Sequence, residues 1–478
     1  MRNLPIQHMD SLTYLPAAQM ADIVRQKEIS PVELVRAHIE RAQALQPRLN
    51  AFVTLDADRA LDAARAAEAV LARGEPAGAL HGVPVTIKSA IDVKGLVCAA
   101  GSALRRTHVP QEDAPLVARL RAAGAIVLGN TNVPECLMAY ESNNALYGAT
   151  SNPWDLSRTA GGSSGGEAAA IAAGCSAAGV GSDGGGSIRV PAHFCGICGL
   201  KPTPGRIPIT GHFPPGGGAF GWIGAVGPMA RTVGDLRFLF EAMAGPDPGD
   251  ALSAPVSVLH TGEEELRGLR IGLLESKALP PATPETQAAV QRAGQALSEQ
   301  GFAVEPAQLD GIGPALELWR FFFVRAIGYL LREAFAGEES KLSPMLREYL
   351  AVGAEEPPIT IDEFMGACVE RDARRGAFLR QMEKTPILLS SVSVSPAFRH
   401  GEGTWRKGKS IPPYQEIMPH SQWLNVAGLP AAVLPVGASP EGLPIGVQII
   451  GRAYEEELVL AVAECIERAC GGYHHPPI

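Results

Sequence analysis

Two serines sit in glycine-rich stretches of the chain, in Gly161-Gly162-Ser163-Ser164-Gly165-Gly166-Glu167 and in Asp183-Gly184-Gly185-Gly186-Ser187-Ile188-Arg189. The serines are 187 − 163 = 24 residues apart. Glycine has no Cβ, so such a turn brings backbone N–H groups close to a reacting atom. A hydroxyl surrounded by these donors is what a serine nucleophile and its oxyanion hole need. Upstream, Lys88 closes a run in which Val83, Val85 and Ile87 alternate with Pro84, Thr86 and Lys88. A lysine can serve as general base only when neutral. At the ordinary pKa of ~10.4, only about one in a few thousand is neutral at pH 7, a penalty of roughly 4–5 kcal/mol. Burial can lower a lysine by ~3 units or more. The expectation is a buried Lys88 bonded to a hydroxyl, with no carboxylate partner.

Each residue also has an ordinary reading: a solvated lysine, a helix N-cap at Ser163, a structural glycine turn at Ser187. Occurring together in one α/β unit, they favour chemistry. Gly161, Ser163 and Gly165 match the Gly-x-Ser-x-Gly elbow, but that motif needs a hydrophobic strand directly before the serine. Here 152–159 reads as a loop, so the elbow is set aside. Neither glycine segment has the Gly-Lys-Ser/Thr of a phosphate-binding loop or a Gly-x-Gly-x-x-Gly after a strand. Cys195 and Cys198 have metal or redox spacing, but only His193 lies near and no second pair exists. They read as core cysteines.

The elements that must hold these residues follow a βα rhythm. Ser30-Pro31-Val32-Glu33 is a capping box with proline at the first helical position, and 56–73 reads as a second helix. Strands are expected at 82–88, 125–129 and 177–181, with helices over 115–123 and 167–174. That alternation predicts an α/β fold with parallel strands. Further on, strands at 269–274 and 302–306 flank an amphipathic helix over 284–299. The segment 311–385 reads as mostly helical, with Trp319, Phe321, Phe322 and Phe323 clustered in it. Strand character returns at 386–389 and 431–435, before a helix over 455–469. We divide one domain, 1–478, into N-terminal helices (1–75), a core (76–250), a variable covering region (251–420) and a return to the core (421–478).

The 478 residues are 46% hydrophobic, enough for a large core, and their formal charge of −9 without a dense basic run argues against nucleic acid. No stretch reaches the ~20 apolar residues of a membrane span. The polar start of the chain and eight cysteines without a disulfide pattern point to a reducing cytoplasm.

Taken as a set, these residues resemble the amidase signature family. The match covers 161–166, 183–191, 196–203, the run 82–88 and a C-terminal block from Asn425 to Gln448. The resemblance implies an α/β/α sandwich around a mixed, mostly parallel twisted sheet with peripheral helices. It implies amide C–N hydrolysis through an acyl-enzyme, with Ser187 as nucleophile, Ser163 (after a cis peptide from Gly162) as proton relay and Lys88 as base. The N–H groups of Gly184, Gly185, Gly186 and Ser187 would form the oxyanion hole. Ser164, Asp183 and Arg189 would hold the loops, and Leu137 and Met138 would line the acyl pocket. The aromatic helices and the segment 216–222 would surround an aryl or fatty group. Aryl acylamidases, fatty-amide and nylon-oligomer hydrolases and urethanases share these features. No metal or organic cofactor is implied. Val190 stands where the tRNA amidotransferase component of the family usually has Gln. This favours a stand-alone hydrolase of a small amide, monomer or homodimer, over a glutaminase or transamidase subunit.

Overall fold

The computed structural model describes residues 12–402 and 418–478. One eleven-stranded sheet organises them. Its strands, in chain order, are β1 (Phe52–Leu55), β2 (Pro84–Lys88), β3 (Ile126–Thr131), β4 (Ala178–Asp183), β5 (Cys198–Lys201), β6 (Ala225–Ala230), β7 (Arg270–Glu275), β8 (Ala303–Gln308), β9 (Ile387–Ser391), β10 (Ala431–Ala438) and β11 (Pro444–Ile450). They lie in the order β1-β3-β2-β4-β6-β5-β10-β11-β9-β7-β8. The sheet is mixed. Parallel pairing occupies two blocks, β3-β2-β4 and β9-β7-β8, and the remaining neighbours run antiparallel.

Helices pack on this sheet in two groups, giving the layered α/β architecture. The short helices Gly165–Ala172 and Arg189–Cys195 lie together against the middle strands, and Val233–Met243, Pro284–Glu299 and Glu456–Cys470 pack as another set. The N-terminal helix Pro31–Leu49 starts as its sequence demands. The Ser30 hydroxyl accepts from the Val32 N–H at 3.0 Å, and Glu33 reaches back to the Ser30 N–H at 3.1 Å. No helix among the described residues is long and apolar enough to cross a membrane.

Two expectations need refinement. The segment before Ser163 contains a short strand, Asp155–Thr159, paired with Ser151–Asn152. It lies outside the main sheet and is partly exposed, so the strand that an elbow requires is still missing. The region 251–420 also does more than cover, because it supplies β7, β8 and β9. Its helical part runs from Ile312–Trp319 directly into a π-helical segment, Arg320–Ala326.

Candidate active site

Lys88 ends β2 and is fully buried. Its Nζ contacts three uncharged oxygens: Ser163 Oγ at 2.7 Å, Ser164 Oγ at 2.8 Å and the Ser182 carbonyl at 3.1 Å. Burial pushes its pKa down to about 7, although Asp183 and Glu167 favour the charged form from a distance. A neutral amine has two N–H bonds and one lone pair. The carbonyl can only accept, so one N–H goes to Ser182. Ser164 Oγ lies 3.3 Å from the same carbonyl and donates to it, which leaves Ser164 as acceptor for the second amine N–H. In that neutral form the lone pair would face Ser163 Oγ and accept from its hydroxyl.

Ser163 follows a cis peptide bond from Gly162. Helix Gly165–Ala172 starts directly after Ser164, but Ser164 does not cap it, because its hydroxyl serves Lys88. Ser142 takes over that role, its Oγ accepting from the Gly165 N–H at 2.9 Å. Ser187 keeps 8% of its surface, against 1% for Ser163, so it is the one of the two that a ligand can reach. The Ser187 carbonyl accepts from the Ser164 N–H at 3.2 Å, tying the two glycine segments together. Ser187 Oγ itself makes no hydrogen bond among the described residues.

The turn that presents Ser187 is built around Asp183. The Asp183 carboxylate accepts from the N–H groups of Gly186 at 2.7 Å and Ile188 at 3.1 Å. It also makes a two-pronged pair with Arg189, at 3.0 and 2.9 Å. Burial alone would raise its pKa, but the adjacent guanidinium outweighs this and holds it well below the usual carboxylate range. Arg189 continues to Asn425 Oδ1 at 2.7 Å and Gln448 Oε1 at 3.2 Å, so the C-terminal block closes the same network.

Gly186 differs from expectation. Its N–H is committed to the Asp183 carboxylate, which leaves Gly184, Gly185 and Ser187 with N–H groups that donate to nothing among the described residues. Leu137 and Met138 are both buried, Leu137 in a small cluster with Ala90, Ala100 and Val133. The aromatic wall near the turn comes from elsewhere. Phe323 and Phe220 flank Gly184, with ring carbons 3.2 and 3.5 Å from where a Cβ there would sit. Trp319 stacks on Phe323, their ring centres 4.7 Å apart.

The sequence reading gave no role to His212 or Glu167 and missed the contact that Tyr140 makes to the turn. His212 Nδ1 faces the Pro214 carbonyl at 2.8 Å and must carry a proton, so Nε2 accepts from the Ser182 hydroxyl at 2.8 Å. Burial drives its pKa down to about 3, and the ring adds no charge beside Lys88. Glu167 accepts from the hydroxyls of Thr86 and Thr131, and burial pushes it up to about 7. Tyr140 donates to the Gly185 carbonyl at 2.6 Å. Sequence spacing gives no signal for any of them. The thiols of Cys195 and Cys198 are buried and directed at different carbonyls, those of Ala160 and Arg231. No group of three metal-ligating side chains occurs among the described residues.

Known proteins share this arrangement of chain. The Amidase family model matches residues 33–460. The chain is 35% identical to a glutamyl-tRNA(Gln) amidotransferase component of Moorella thermoacetica, over 98% of this chain and 99% of that one. It is 34% identical to indoleacetamide hydrolase of Bradyrhizobium diazoefficiens, over 96% of this chain and 87% of that one. A solved structure of 6-aminohexanoate cyclic dimer hydrolase complexed with substrate superposes with a TM-score of 0.86 at 29% identity, covering 97% of this chain and 99% of that one.

Proposed function

The chain belongs to the amidase family, the amidase signature enzymes, and from that premise we propose that it is a stand-alone amidase acting through Ser187, Ser163 and Lys88 on an apolar or aryl amide. The observation that carries this reading is the uncharged hydrogen-bonding shell of Lys88, whose Nζ lies 2.7 Å from Ser163 Oγ. As Ser187 attacks the amide carbon, its proton passes to Ser163 and the Ser163 proton passes to Lys88. Hydrogen bonds between catalytic groups commonly form only once substrate arrives, so the Ser163–Ser187 hydrogen bond would be made in the complex. The oxyanion is received by the N–H groups of Gly184, Gly185 and Ser187. Losing one such donor typically costs about 3–4 kcal/mol. The protons return through Ser163 to the leaving amine, and water hydrolyses the acyl-enzyme. The rings of Phe220, Trp319 and Phe323 supply the apolar wall for the acyl group, and carbamates and esters are candidate side substrates.

A second reading, as the glutaminase component of a tRNA amidotransferase, is favoured by the likeness to the Moorella protein. Val190, buried behind the Ser187 turn, weighs against it. The decisive experiment is a hydrolysis screen of anilides, primary amides, fatty amides, carbamates and glutamine, with Ser187→Ala as control. Turnover of an aryl or alkyl amide by the isolated chain, lost in the variant, supports the proposal. Activity on glutamine alone, or activity surviving in Ser187→Ala, refutes it.

A further inference from the structure

The turn Asp183–Ser187 orients its N–H groups by having all four of its leading carbonyls engaged. The Asp183 carbonyl accepts from Asn425 Nδ2 at 3.1 Å and the Gly186 carbonyl from the Val190 N–H at 2.7 Å. Between them, the Gly184 carbonyl accepts from Trp319 Nε1 at 2.9 Å, and the Gly185 carbonyl from the Tyr140 hydroxyl at 2.6 Å. In a trans peptide the C=O and the following N–H point in opposite directions. A donor bound to the Gly184 carbonyl therefore fixes the Gly185 N–H on the other side, towards the hole. Likewise, the Tyr140 bond fixes the Gly186 N–H towards the Asp183 carboxylate.

These two peptides are the vulnerable ones. Each is flanked by glycine on both sides, so neither neighbour has a Cβ to resist a coupled rotation of the plane. A flipped 184–185 peptide would turn a carbonyl oxygen towards the developing oxyanion. Both peptides are held by side chains from outside the turn, and both side chains have their own supports. Trp319 ends helix Ile312–Trp319 where the π-helical segment begins, and its ring stacks on Phe323 at an interplanar angle of 13°. Tyr140 accepts from Gln422 Nε2 at 3.2 Å. π-helical segments often mark functional positions in a helix, and here one begins at the pin.

We propose that Trp319 and Tyr140 are positioning residues for the oxyanion hole, holding the two freely rotatable glycine peptides in the orientation that catalysis needs. The inference rests on the proposed role of Ser187. It also gives the covering region a direct hold on the chemistry, because the indole that walls the acyl pocket also orients a backbone donor.

The test uses Trp319→Phe and Tyr140→Phe, which keep an aromatic ring and remove the donor. The readout is phosphonylation by a fluorophosphonate probe, whose P–O group occupies the hole, resolved into a binding constant and a maximal rate over pH 5–9. Mass spectrometry of the wild-type adduct first establishes that Ser187 is the labelled residue. Each variant is expected to lose about 10-fold or more in maximal rate, since deleting one hole donor outright costs about 10²–10³. Tyr140→Phe should keep binding within about 2-fold, the pH midpoint should not move in either variant, and the double variant should be slower than either. Maximal rates within about 2-fold of wild type in both variants would overturn the proposal. So would weakened binding at unchanged rate, which would make these residues pocket walls only. An unlabelled Ser187 in the wild type would remove the premise and the inference with it.

Discussion

Lys88 Nζ lies 2.7 Å from Ser163 Oγ in a site where Lys88 has no exposed surface, and on the proposed mechanism this burial would set the pH dependence of the reaction. Charging the amine there costs enough to bring its pKa to about 7. The base must be unprotonated, so acylation should climb about tenfold per pH unit below 7 and level off above it. Rates of fluorophosphonate labelling between pH 5 and 9 check this. A profile that is flat, or that falls with rising pH, would remove Lys88 from the base role.

Replacing Lys88 by Met keeps an apolar stem of similar length and deletes the amine. General-base catalysis contributes about 10²–10⁴-fold, so acylation should fall by that factor. Pre-steady-state labelling at pH 8 measures it directly, and near-wild-type rates would mean that another group takes the proton.

Ser187→Ala should leave stability within about 0.5 kcal/mol, because Ser187 Oγ holds no hydrogen bond among the described residues. Hydrolysis and labelling should disappear together. Urea unfolding beside an activity assay separates the two effects.

Asp183→Asn should behave in the opposite way. It leaves the Arg189 guanidinium, which has no exposed surface, without its charge partner, a change that costs about 3–5 kcal/mol. The midpoint of urea unfolding should fall accordingly, and activity should go with it as the turn loses its central acceptor. An unchanged midpoint would mean that the pair is not what orders the loop.

Gly227→Ala addresses the sheet. A Cβ at this position in β6 would lie 2.0 Å from the Leu200 carbonyl oxygen of β5, a backbone atom with little room to move. The variant should lose about 1–3 kcal/mol or more, readable from thermal or urea unfolding.

That contact also explains what the sequence concealed. β2 is legible because Val85 and Ile87 alternate with Thr86 and Lys88, and helix Pro31–Leu49 because a capping box announces it. β5 and β6, with sequences Cys-Gly-Leu-Lys and Ala-Val-Gly-Pro-Met-Ala, hold one β-branched residue between them, Val226, and no aromatic one, too few to signal a strand. Glycine is there because two backbones approach closely, a reason visible only in three dimensions. The site divides in the same way. The glycine segments and Lys88 carry local patterns, so they could be singled out. Trp319, Tyr140 and His212 act through hydrogen bonds to Gly184, Gly185 and Ser182 made by distant parts of the chain, and no spacing rule encodes them. The commitment of the Gly186 N–H to Asp183 was hidden likewise, because composition cannot tell which amides in a glycine run are already occupied.

Asn425 and Gln448 reach Arg189 from 236 and 259 residues downstream. During synthesis the two serines and the lysine leave the ribosome long before these partners exist. Until β11 is made, the Asp183–Arg189 pair lacks the two amide groups that brace it from the C-terminal block. On the proposed mechanism, hydrolytic competence would therefore arrive late in translation, once β11 has joined the sheet.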